Sequence, residues 1–224
     1  MSTVVVKFEP KKRRNLSSRQ WTEVVVTLGM IMLALWVQRA GRGPYIWFAV
    51  IWLAATTFIY DNRWRNQFGQ AFRWPGCWRP LWLPCLTAVI FLVFTLGAVA
   101  LGTDHYPKPP ATFLWRFGRY ALWAGLQQVL ALLYLFPRFE KIFGSGKIAA
   151  LATALAFTAV HFPNPILMLA TLIGGAVLTV VYNQYRSIYW PIIVHAVIGF
   201  AITFSLPMKL HHGMRVGLTY LSYK

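Results

Sequence analysis

Residues 120–136 read YALWAGLQQVLALLYLF, a membrane-length apolar run broken near its middle by Gln127 and Gln128. A helix of this length rises about 25 Å, close to the thickness of a bilayer's hydrocarbon core, so the glutamine pair falls near the midplane. Two later apolar runs are punctuated in the same way. In ALAFTAVHFPNP (154–165), His161 follows Phe157 by one helical turn, and in IYWPIIVHAVIGFAITFSL (188–206), His195 stands alone among apolar neighbours. An unpartnered polar side chain in lipid is costly, so residues of this kind face the bundle interior and mark either a site or a polar contact between helices.

The rest of the chain agrees with a membrane setting. Of 224 residues, 58% are hydrophobic and only 12% charged, the balance of a polytopic membrane protein. The net charge of +17 arises from 22 Lys and Arg against 5 acidic residues. The basic residues lie mostly between the apolar runs, which argues for membrane topology and anionic headgroups and against a nucleic-acid partner. Cys77 and Cys85 form neither a disulfide framework nor a metal knuckle. Glu9, Glu23, Asp61, Asp104 and Glu140 fall in tails, connections or the mouth of the first run, so no carboxylate sits deep in a span.

Working outward, the chain reads as an all-α polytopic transmembrane helical bundle of about seven spans, within a range of six to eight. The expected spans are Trp21–Val37, Tyr45–Tyr60, Leu81–Leu101, Tyr120–Phe136, Ile148–Phe162, Ile166–Tyr185 and Ile188–Leu206. They divide into a basic tail (1–20), an N-terminal membrane part (21–117), a core (118–206) and a short basic C-terminal tail (207–224). Pro137 is expected to end the fourth helix, with a polar connection over Gly102–Phe117 before it and a basic turn over Arg138–Lys147 after it. Gly144-Ser145-Gly146 in that turn is turn chemistry. Ala170/Gly174 and Thr171/Gly175 place small residues four apart, which allows close helix approach. The tail's Lys and Arg put the N-terminus in the cytoplasm, and a re-entrant piece after Pro207 would reconcile Lys209, Arg215 and Lys224 with that orientation.

The polar residues limit the chemistry. A glutamine amide donates and accepts hydrogen bonds but cannot take a proton at physiological pH. His161 and His195, if on facing helices, could bind a divalent metal, zinc being the first choice, although catalytic zinc ordinarily has three protein ligands. His105, His211 and His212 lie in a connection or the tail and are weaker candidates.

The order and spacing of these sites resemble the CPBP family of intramembrane metalloproteases, which includes CAAX prenyl proteases and lysostaphin-resistance-like proteins. The family's motifs are Glu-Glu followed four residues later by Arg, then Phe-x-x-x-His, then His-x-x-x-Asn or Asp. The corresponding stretches here are QQVLAL, FTAVH and HAVIG, supported by HFPNP and by Tyr182, Arg186 and Ser187. The likeness spans Leu122 to Phe204. Phe157, His161 and His195 match, while Gln127 and Gln128 replace the glutamates, Leu132 the Arg and Gly199 the Asn or Asp.

The resemblance implies a metalloendopeptidase fold in a bacterial inner membrane and a membrane-associated or lipidated peptide or protein substrate. Its implied site is Gln127, Gln128, His161 and His195, with His161 and His195 on the metal and a glutamine orienting bound water. Because the family's acid pair is missing, a non-catalytic membrane scaffold or binding module is the alternative. Glu23 or Glu140 could restore a carboxylate only through helix packing that the sequence does not reveal.

Overall fold

Lipid offers backbone N–H and C=O groups no partners, so apolar runs of this length close their hydrogen bonds internally as helices. A computed structural model describes residues 18–37, 52, 69–72, 82–102 and 110–222. Its elements are α1 (Ser18–Val37), α2 (Trp82–Ala100), α3 (Pro110–Gln128), a π-helical segment (Val129–Leu135), α4 (Phe136–Phe143), α5 (Gly146–Ala159), α6 (Pro165–Tyr185) and α7 (Tyr189–Ser205). Beyond them come α8 (Met208–His211), a 3₁₀ turn (His212–Met214) and α9 (Leu218–Leu221).

The described residues contain no strand, and four helical stretches are long and apolar enough to cross a membrane: Ser18–Val37, Trp82–Ala100, Ala111–Phe143 and Pro165–Tyr185. Gly146–Ala159 and Tyr189–Ser205 are shorter apolar helices. Val89, Val93, Leu96, Leu169 and Ile173 point outward and are exposed, as lipid-facing residues are. The chain is an all-α, polytopic integral membrane protein. The expected span Tyr45–Tyr60 lies outside the described residues apart from Trp52, as does most of the loop after it.

Two expectations about the fourth span are corrected. Helix begins at Pro110, inside the supposed connection, and Pro137 does not end it, because helix continues to Phe143. The intervening π turn is wider than an α turn, and Pro137 occupies the first turn of α4, where a missing N–H is tolerated. The helix stops instead at Gly144, whose φ of 67° closes a left-handed cap with its N–H donating to Glu140 O.

Arg138 therefore belongs to a helix rather than a basic turn, and it is buried. Its Nε donates to Glu23 Oε2 at 2.7 Å, its Nη1 donates to Tyr134 O at 2.9 Å, and its guanidinium lies 3.5 Å from the Tyr134 ring centroid. Arg19 Nε donates to the other Glu23 oxygen at 2.8 Å. One turn along α1, Thr27 Oγ1 donates to Tyr134 Oη and accepts from Trp52 Nε1. These contacts fasten α1 to α4.

Between α5 and α6, only one of the two small-residue pairs is used. A Cβ at Gly175 would stand 3.4 Å from Phe157 Cδ1 and 3.5 Å from Ala154 Cα, whereas Gly174 has nothing within 4 Å. Gly175 thus lets the α6 backbone approach the helix that carries Phe157, and Thr171 is buried on the same face.

The turn after α5 is held by Asn164, which is wholly buried. Its Oδ1 caps α6 by accepting from Leu167 N, and its Nδ2 donates to the carbonyls of His211 at 2.8 Å and Arg215 at 3.1 Å. Gly217 N–H donates to Phe162 O at 2.9 Å, and Gly217, at φ 57°, abuts the Leu35 backbone. The described part of the expected tail, 207–222, therefore folds back onto the bundle.

Asn164→Ala removes the cap, which typically contributes ~1 kcal/mol, and deprives two carbonyls of a donor, at about 1–3 kcal/mol more. It is expected to lower the thermal unfolding midpoint in detergent micelles. An unchanged midpoint would mean that the returning segment is not held through this residue.

Candidate functional site

Three helices bring the site together. Near its start α3 packs on α7 through an aromatic cluster in which Phe113 and Phe117 each meet Phe200 at 5.1 Å, with Phe200 edge-on to Phe204 at 4.4 Å. Further along, Gly125 admits Ile192. This packing sets the register in which Gln128, at the end of α3, meets His195 in the middle of α7.

Gln128 is 2% exposed, and its Nε2 lies 2.9 Å from His195 Nδ1. An amide N–H can only donate, so Nδ1 accepts, and the proton of a neutral His195 ring resides on Nε2. Gln127 is half-buried, makes no hydrogen bond among the described residues and points about 100° away around the helix.

His161 is buried just beyond the C-terminus of α5. Its Nδ1 stands 2.6 Å from Phe157 O. A carbonyl can only accept, so Nδ1 carries the proton and Nε2 of the neutral ring keeps its lone pair. The Phe157 ring joins the two histidines, edge-to-face with His161 at 4.9 Å between centroids and with His195 at 5.7 Å. The two imidazoles are thus no further apart than those two distances laid end to end. In their neutral forms the two rings take opposite tautomers, His161 offering a lone pair and His195 an N–H.

Neither spare carboxylate reaches this place. Glu23 is engaged with Arg19 and Arg138, and Glu140 with Arg186, whose Nη2 donates to Glu140 Oε1 at 3.1 Å. Leu132, at the position of the family's Arg, is buried in the apolar core. Among the described residues no three His, Cys, Asp or Glu side chains gather as metal ligands. Two imidazoles and a carboxamide aimed at one of them fall short of the three-ligand set that catalytic zinc uses, so the donors present do not fit the metal site that the resemblance implies.

One neighbour escaped the sequence reading. Tyr120, Ala124 and Gln128 lie four apart on one stripe of α3, and the Tyr120 ring stands 6.5 Å from the His195 ring. The spacing was legible, but a tyrosine at a span's start also reads as an interfacial anchor. Beside it is a cavity of about 250 Å³ lined by Arg116, Tyr120, Phe200, Phe204, Met208 and His211 among others.

With this geometry in place, comparison with known proteins adds one match. Residues 109–201 match the family described as type II CAAX prenyl endopeptidase Rce1-like. No curated protein and no solved structure matches the chain. The matched segment runs from the start of α3 into α7 and contains Gln128, Phe157, His161 and His195.

Proposed function

We propose, from the premise that this chain belongs through residues 109–201 to the CAAX-protease family, that it is an intramembrane peptidase that activates water with an imidazole instead of a carboxylate. The observation carrying this reading is the placement of the two imidazoles, His161 Nδ1 against Phe157 O and His195 Nδ1 against the Gln128 amide nitrogen. A neutral histidine is the commonest general base near pH 7.

In the proposed reaction, His161 Nε2 takes a proton from water as the water oxygen adds to the peptide carbonyl carbon. The carbonyl π electrons move onto oxygen, and His195 Nε2–H donates a hydrogen bond to the resulting oxyanion. Collapse of the tetrahedral intermediate breaks the C–N bond, and the leaving amine recovers the proton from His161. Gln128 holds the His195 ring in the donating tautomer, as a second-tier amide can. The proposed substrate is a membrane-anchored or lipidated peptide, in keeping with helices whose outer faces are apolar.

The test is hydrolysis of membrane-anchored peptides by the purified protein in proteoliposomes, with cleavage products read by mass spectrometry. Turnover is expected, and it is expected to survive exhaustive chelation with phenanthroline. Loss of turnover on chelation, with recovery on adding zinc, would transfer water activation to a metal held by His161 and His195. The engagement of both Glu23 and Glu140 by arginines favours a second reading, a non-catalytic scaffold that binds a membrane partner. Absence of cleavage by the native protein, with cleavage gained in Gln127→Glu, Gln128→Glu, would select that reading.

A further inference from the structure

Gly199 lies one helical turn after His195 and faces the same way, at a place where a larger residue would project into the site. That space is filled from the other helix. A Cβ built on Gly199 would collide with Tyr120 Oη and come within 2.8 Å of Tyr120 Cζ. The phenol oxygen thus occupies the position from which any side chain at 199 would start. Tyr120 makes no hydrogen bond among the described residues, and it lines both the cavity beside the site and the groove formed with Arg116, Arg119 and Trp123. Arg116 and Tyr120 line both spaces, and the Tyr120 ring stands 6.5 Å from that of His195.

We infer that Tyr120 is a catalytic residue whose hydroxyl donates a hydrogen bond to the substrate carbonyl oxygen. A phenol remains protonated and able to donate at neutral pH. Held beside Phe200 and Phe204, such a donor needs little reorganisation as negative charge develops. Together with His195 Nε2–H it gives the oxyanion two donors, one from α3 and one from α7. Glycine at 199 is then a requirement of the arrangement, since any Cβ would displace the hydroxyl. This inference rests on the peptidase reading above.

The experiment compares kcat and KM for a cleaved membrane-anchored peptide among the native protein, Tyr120→Phe, Tyr120→Ala and the pair Tyr120→Ala, Gly199→Asn, with folding followed by circular dichroism and thermal unfolding. Tyr120→Phe keeps the ring and its packing, and is expected to lower kcat by about 10²- to 10³-fold, the usual effect of losing one such donor, with KM changed less than threefold. In the pair, the space cleared by alanine accepts a carboxamide whose N–H replaces the phenol. It is expected to recover kcat at least tenfold over Tyr120→Ala alone. A Tyr120→Phe kcat within threefold of native overturns the inference and leaves the peptidase reading standing, as does failure of a folded pair to recover any activity. A native protein that cleaves nothing overturns both.

Discussion

Replacing His161 with alanine is expected to lower kcat for peptide hydrolysis by about 10²- to 10⁴-fold, the range that a positioned general base contributes. The loss should fall on kcat, because the ring is proposed to act on water and not to bind the peptide. The position is suited to that role: the Phe157 carbonyl fixes the proton on Nδ1, and the buried ring can turn only by giving up that bond. His161→Gln tests the point further, since a carboxamide can keep a hydrogen bond in this space but takes no proton. Its kcat should be as low as that of alanine, with a higher unfolding midpoint. If either variant turns over at the native rate, His161 is not the base.

The second large effect concerns stability. Glu23 is a buried carboxylate shared by two arginines, one of them buried as deeply as itself. Removing one partner of such a pair leaves the other charge desolvated and typically costs roughly 3–5 kcal/mol. Glu23→Ala is therefore expected to lower the thermal unfolding midpoint in micelles at least as much as Asn164→Ala does. Replacing both partners with leucine should cost less than Glu23→Ala alone, because no uncompensated charge remains at Arg138. A Glu23→Ala midpoint within a degree of native would show that α1 is held by its apolar contacts, not by this ion pair.

These two sites differ in how readily the sequence disclosed them. Fold class followed from the length and apolarity of the runs, and His161 and His195 followed from being polar where lipid allows few polar groups. Their convergence with Gln128 was harder to foresee, since His161 stands near the end of its run and the glutamines near the middle of theirs. The physical reason lies in helix length. Gly146–Ala159 rises only about 21 Å, short of the ~30 Å hydrocarbon core, so its end reaches the depth of Gln128 instead of the far surface.

A helix that ends within the bundle leaves carbonyls to satisfy, and those of α5 are met by the N–H groups of Val160, His161 and Phe162 and by the His161 ring, while Gly217 of the returning 207–222 segment donates to Phe162 O. The polar and charged residues of that segment made it read as a short basic tail, with a re-entrant piece after Pro207 as the alternative. Arg138 was misplaced for a related reason: a basic residue after a proline looks like a loop unless the partner carboxylate, 115 positions earlier, is known to face it. Tyr120 was hidden because its significance depends on an absence, the missing side chain at Gly199, on a helix far along the chain.

The π-helical segment Val129–Leu135 gives the two ends of one long rod different azimuths. An extra residue in a turn offsets everything beyond it by about 100° relative to an unbroken α-helix. The stretch carrying Tyr120 and Gln128 is thereby aimed at α7 while the stretch carrying Arg138 is aimed at α1, an angle that an unbroken α-helix would not give. The rod behaves as two cams keyed at different angles on one shaft, so seating Arg138 against α1 also sets the direction in which the site faces.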